Sequence, residues 1–143
     1  MKAIVIFGST TGNTEEVANY VGNGLREAGH EVLVKNVTEA TPQEMTGYDI
    51  VVLGSSTWNE GLLQDDFVPF YEQMTGISLA GKKAAAFGCG ESIYEHYCAA
   101  VDTLANKLKE LGAEVVGTPF KVDGDIGPHL QEAQAWGKSL VTA

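Results

Sequence analysis

The chain has 143 residues, 44% of them hydrophobic and 20% charged, and its 9 Lys and Arg against 19 Asp and Glu give a net charge of -10 at neutral pH. A body of this size buries about 68% of its unfolded surface, enough for one core, and the composition excludes disordered and fibrous classes. A field of this sign repels nucleic acid and anionic membranes, and it speeds encounter with proteins that carry basic faces.

The first apolar run, Ala3 to Phe7, is too short for a secretion signal and ends in Gly-Ser-Thr, so it reads as a buried strand. No run approaches the ~20 apolar residues that cross a bilayer, and the expected location is the cytoplasm. An amphipathic stretch from Glu15 to Ala28 stops at Gly29, and Glu31 to Val37 has strand character. Together they spell a βαβ unit. A polar connection through Pro42 leads to Ile50-Val51-Val52-Leu53, whose unbroken apolar character marks a central strand covered on both faces.

A loop and a short helix around Asp65 to Met74 follow, then the turn Ala80-Gly81-Lys82 and a strand from Lys83 to Gly88. The next helix, Cys98 to Leu111, ends with Gly112 at the C′ position that glycine favours. Glu114 to Val122 reads as a strand interrupted near Gly117-Thr118-Pro119, and a last helix follows Pro128. Cys89 and Cys98 fit neither a disulfide framework nor a zinc template, so both read as reduced thiols. Five strands alternating with four helices predict a single domain over 1–143. Its architecture is α/β, an open doubly wound parallel sheet with helices on both faces and right-handed crossovers. Ligands of such sheets bind beyond the carboxyl ends of the strands, where the strand order reverses. The loops after the first, third and fourth strands are therefore the candidate site.

The first loop, Gly8-Ser9-Thr10-Thr11-Gly12-Asn13-Thr14, packs four hydroxyls and one amide between a strand and a helix start. Two glycines permit tight folding, converging N–H groups can form an anion nest, and the helix start adds partial positive charge. An ordinary capped helix needs only one such hydroxyl, so the loop reads as a phosphate site without lysine or arginine. Neither the triphosphate pattern G-x-x-x-x-G-K-[ST] nor the dinucleotide pattern G-x-G-x-x-G fits it. The second loop, Gly54-Ser55-Ser56-Thr57-Trp58-Asn59-Glu60-Gly61, carries a tryptophan that could merely cap the core. The third, Gly88-Cys89-Gly90-Glu91-Ser92-Ile93-Tyr94-Glu95-His96-Tyr97, adds small residues and then Tyr94. A planar ring between Trp58 and Tyr94, with a phosphate tail in the first loop, describes a mononucleotide-sized ligand and points to a flavin.

With GSTTGNT, the STW loop, LQDDF and FGCGES-x-YE-x-YC, the chain resembles the short-chain flavodoxins of sulfate-reducing bacteria along its whole length. Flavodoxin is itself a standing example of the strand order 2-1-3-4-5 with FMN at the first and third strands, so that order comes with the resemblance. The resemblance implies a low-potential one-electron carrier that holds FMN non-covalently, lacks a substrate of its own and serves redox partner proteins as a monomer. It implies that Ser9, Thr10, Thr11, Gly12, Asn13 and Thr14 form the phosphate loop, with Ser56 close by and Asn13 also near the ribityl chain. Trp58 and Tyr94 would flank the isoalloxazine. Thr57, Asn59, Cys89, Gly90, Glu91, His96 and Cys98 would surround its polar edge, mostly through backbone groups.

Three positions depart from the family pattern: Asn59 where Gly is usual after the tryptophan, Glu91 for Asp, and His96 where an aromatic is common. They bear on redox tuning rather than on FMN binding. A response regulator would need an acidic pocket where Gly54-Ser55-Ser56 stands, and a low-molecular-weight phosphatase would need Arg where Glu95 follows Cys89. The surviving alternative is a small FMN-dependent quinone or nitro reductase on the same fold.

Overall fold

The structure is a computed structural model that describes residues 2–8, 13–55, 57–58, 62–63, 67–74, 76–90, 99–116, 120–123 and 127–140. Strands β1 (Lys2–Gly8), β2 (Glu31–Asn36), β3 (Ile50–Ser55) and β6 (Lys83–Gly90) lie in one parallel sheet in the order β2-β1-β3-β6. Two shorter strands, β7 (Glu114–Val115) and β8 (Phe120–Asp123), both pair in parallel with β6. They are the two halves of the interrupted fifth strand. The order 2-1-3-4-5 is therefore that of the resemblance.

Alternation along each strand divides the interior into two cores. Ile4, Ile6, Val51, Leu53, Ala84 and Ala86 face one side, where helices α2 (Phe67–Gln73) and α3 (Ala99–Glu110) bring Phe67, Phe70, Val101, Leu104 and Leu108. Ala3, Val5, Phe7, Val52, Ala85 and Phe87 face the other, covered by α1 (Asn13–Glu27) and α4 (Leu130–Ser139) through Val17, Val21, Leu25 and Ala133. Two buried faces explain why the central strands read as continuous apolar runs.

Close approaches replace side chains at two points. The Phe87 ring lies over Gly54, where an added Cβ would come within 2.1 Å of it. Helices α1 and α4 meet backbone to backbone: a Cβ on Gly24 would stand 2.0 Å from the Gln134 carbonyl, and one on Gly137 2.4 Å from that of Val21. Helix α1 ends as its glycine predicts. Gly29 takes φ 95°, its N–H donates to Arg26 at 3.0 Å, and the His30 N–H donates to Leu25 at 3.2 Å.

Several boundaries differ from the sequence reading. Helix α1 starts at Asn13, two residues before Glu15, and takes in Thr14, whose side chain is buried. Helix α2 starts at Phe67 and not at Asp65. The connection after β2 is wound into 3-10 turns at Val37–Glu39 and Pro42–Gly47, the second opened by Glu44 accepting from the Thr41 N–H at 2.7 Å. An unanticipated antiparallel pair, β4 (Thr57–Trp58) with β5 (Leu62–Leu63), stands apart from the main sheet. No helix of the described residues is long and apolar enough to cross a membrane.

Candidate flavin site at the strand ends

From β1 the chain moves to β2 on one side and then to β3 on the other, so the order reverses at β1. The two strand ends left facing the crevice are register partners, Gly8 opposite Ser55. Only residues 9–12 separate Gly8 from the start of α1, which brings the helix's first N–H groups, those with no partner within the helix, toward the carboxyl end of the sheet. Thr14 and Ser55, both polar, are completely buried there, and neither lacks a partner. The loop contains no Lys or Arg, so helix-terminal N–H groups and hydroxyls are the donors this segment offers.

The third strand end is drawn in just as tightly. Gly54 is the register partner of Phe87, and a Cβ on Gly88 would come 2.2 Å from the Ser55 carbonyl oxygen and 2.7 Å from Val101 of α3. Only glycine permits this approach. Strand β4, which carries Thr57 and Trp58, lies beside β6 and α3. Its partner β5 sets Trp58 opposite Leu62 and Thr57 opposite Leu63. The tryptophan's backbone thus sits next to the strand that ends in Cys89 and Gly90.

Of the residues expected at the site, Thr14 is placed with its side chain, while Asn13, Thr57, Trp58, Cys89 and Gly90 are placed by their backbone. Ser9, Thr10, Thr11, Gly12, Ser56, Asn59, Glu91, Tyr94, His96 and Cys98 lie outside the described residues. The sequence reading placed Ser55 and Gly88 in the second and third loops but gave neither an individual role. A glycine inside a strand pattern was the available signal for the second.

The electrostatics of the described residues add one pair. Lys35 of β2 donates to Glu44 at 2.7 Å. That hydrogen bond raises the Lys35 pKa against a smaller effect of burial, and it lowers that of Glu44, which the Thr41 N–H lowers further. No other Lys or Arg occurs between Arg26 and Lys82, so the cation nearest in sequence to the second loop is already compensated.

A doubly wound parallel sheet with a helix N-terminus, a hydroxyl-rich loop and two further strand-end loops at its switch point defines a protein that binds a phosphate-bearing mononucleotide. The flavodoxin family model matches residues 5–136. A flavodoxin of Maridesulfovibrio salexigens is 44% identical over 97% of this chain and 96% of its own length. One of Nitratidesulfovibrio vulgaris is 40% identical over 98% and 97%. Among solved structures, oxidised flavodoxin 1 of Bacillus cereus superposes with a TM-score of 0.90 at 39% identity, covering 96% of this chain and 95% of its own. The chain belongs to the flavodoxin family. It is an FMN-binding electron carrier that passes electrons to redox partner proteins, and the reductase alternative is not favoured.

Proposed function

We propose that residues 1–143 form one FMN-binding domain that works as a low-potential, one-electron shuttle in the cytoplasm, monomeric, with no substrate of its own and with partners that present basic faces. The observation that carries the reading is that β1, β3 and β6 are neighbours with their carboxyl ends on one edge of the sheet, Gly8 opposite Ser55, and that only residues 9–12 separate Gly8 from the start of α1. The donor set suits a phosphate dianion: Ser9, Thr10, Thr11 and Thr14 offer hydroxyls, Asn13 an amide, and the start of α1 its N–H groups, and glycine at position 12 would permit a close backbone approach. Ser56 adds a hydroxyl from the second loop.

FMN supplies the one-electron redox chemistry when bound. The chain's own part is to bind, orient and shield. Trp58 and Tyr94 offer aromatic faces that would exclude water from the ring. Thr57, Asn59, Cys89, Gly90, Glu91, His96 and Cys98 would offer polar groups, mostly backbone, along its edge. The carbonyl oxygen of Asn59 would accept a hydrogen bond from an N–H at the ring's N5, which requires the Asn59-Glu60 peptide to turn over. Asn tolerates positive φ less freely than Gly, so this step costs more here than with glycine.

The test is an absorption spectrum of purified protein with a phosphate assay. Flavin bands with one phosphate per chain support the reading; a colourless protein that takes up no FMN overturns it. Mixing the loaded protein with NADPH addresses the absence of a substrate, since direct reduction without a partner reductase would make it an enzyme.

A further inference from the structure

The main sheet ends on one side at β2 and on the other at β7 and β8. The second edge is blunted, because its strands are two and four residues long. Strand β2 runs for six residues in unbroken register with β1 and contains no proline. Among the described residues no strand pairs with its outer side. The outward groups follow from the neighbouring pairings. The Asp49 N–H donates to the Lys2 carbonyl at 2.8 Å, which turns the even-numbered residues of β1 toward β3 and the odd ones toward β2. In a parallel ladder a residue bonds to the neighbours of its register partner. Val32 and Val34, opposite Ala3 and Val5, therefore direct their N–H and C=O groups away from β1.

One of those groups is already taken. Gly22 lets α1 lie close on β2, since a Cβ there would stand 2.8 Å from the Val34 Cγ2. One turn further, the Arg26 Nη1 donates to the Asn23 side-chain oxygen at 3.0 Å and its Nη2 to the Val32 carbonyl at 3.5 Å. The guanidinium thus lies across the open edge. That edge is also its own complement. In an antiparallel pairing centred on Leu33, Val32 of one copy meets Val34 of the other as a hydrogen-bonded pair, and the exposed Leu33 side chains meet each other. Each Glu31 carboxylate then faces the Lys35 ammonium across the pair.

We propose that the outer edge of β2 is a docking strand for a second copy of this chain and that Arg26 holds it closed. The inference rests on the monomeric state proposed above and gives its cause; the flavin reading plays no part in it. Sedimentation velocity and light scattering of the purified protein test it. The unmodified protein should remain a single chain up to about 1 mM, whereas Arg26→Ala should shift toward two chains between about 10 μM and 1 mM, the range of a small interface. Charge alone works against this shift, because losing a cation from a chain of net charge -10 increases repulsion between copies. Asn23→Ala, which removes the guanidinium's second anchor, should shift the same way more weakly. Adding Leu33→Lys to Arg26→Ala should restore the single chain, since two ammonium groups would then meet at the centre of the pairing.

A folded Arg26→Ala protein that stays a single chain at about 1 mM overturns the proposal. If that variant does not fold, Asn23→Ala decides by the same criterion. A dimer that Leu33→Lys leaves intact also overturns it, because the contact then lies on another surface. An unmodified protein that already pairs overturns the monomeric reading and the role of Arg26 together.

Discussion

Trp58 is where a single side chain bears most on the cofactor. Its backbone lies in β4 beside β6, yet a tryptophan here could serve only to cover the core. Trp58→Ala decides between the two: if the ring is stacked, FMN binding weakens by about 1 to 3 kcal/mol and the quenched flavin emission returns. Unchanged affinity and emission would leave it a cap. Glu44 offers a second test at this scale. Its carboxyl is held below the ordinary 4.5 by Lys35 and the Thr41 N–H, so its contribution to stability is complete above that value and is lost as pH falls through the lowered one. Lys35, raised above 10.5, contributes below that value and loses its effect as pH climbs past the raised one. Urea unfolding should show Glu44→Gln less stable than the unmodified protein at pH 6, with the gap narrowing as pH falls through the lowered Glu44 pKa. A gap that stays constant however far the pH is lowered would show that the pair is not its source. Neither partner announces itself in the sequence, since Lys35 and Glu44 meet only because two 3-10 turns return the chain to β2.

The elements divide by how local their signals are. Helix α1 was readable because its amphipathic period runs straight into Gly29, and the φ of 95° there is the conformation that made glycine the natural stop. The β4–β5 pair was not, because two-residue strands carry no period and depend on the neighbouring β6 and α3. The division of the fifth strand was legible through Gly117-Thr118-Pro119, whereas pairing of both halves with β6 is a tertiary outcome. At the start of α1, the element's dipole and its first N–H groups should separate FMN from riboflavin. Several charge-assisted bonds at roughly 1.5 to 3 kcal/mol each predict that riboflavin binds weaker by several kcal/mol, and equal affinities on titrating apoprotein would contradict the phosphate site. Where α1 crosses α4, Gly24→Ala tests the backbone contact. Alanine gains about 1 kcal/mol of helix propensity, but a methyl 2.0 Å from the Gln134 carbonyl forces the helices apart at a cost of about 1 to 3 kcal/mol or more. Urea unfolding should find the variant less stable; a more stable one would mean that the helices do not meet as described.

For the molecule as a whole, the net charge of -10 is the property that outside partners and the reduced cofactor both sense. Each carboxylate within ~8 Å of the ring would oppose an added negative charge by roughly 2 kcal/mol at an effective dielectric near 20, and Glu60, Asp65, Asp66, Glu91 and Glu95 stand in or beside the loops concerned. Redox titration should therefore resolve two well-separated one-electron steps, with the second shifted to low potential. A single two-electron wave would refute this. Asn59→Gly should widen the separation, and His96→Gln should flatten its dependence on pH between 5 and 8.

The parallel architecture was readable because both faces of β1, β3 and β6 are buried, which writes the sheet into the sequence as uninterrupted apolar runs. The strand order was not written there, and neither was the close approach of Gly88 to Ser55, since both depend on which strands become neighbours.

The glycine contact between α1 and α4 also bears on the order in which the protein comes into being. Helix α1 ends at Glu27, whereas the helix it interlocks with spans Leu130–Ser139, so α1 is synthesised well before its partner. Until those residues leave the ribosome, the outer groove of α1 has nothing to lie against, and the sheet face that includes Val5, Val52 and Phe87 is short of α4 as part of its cover. The nascent chain thus packs α1 against α4 only once residues 130–139 have left the ribosome.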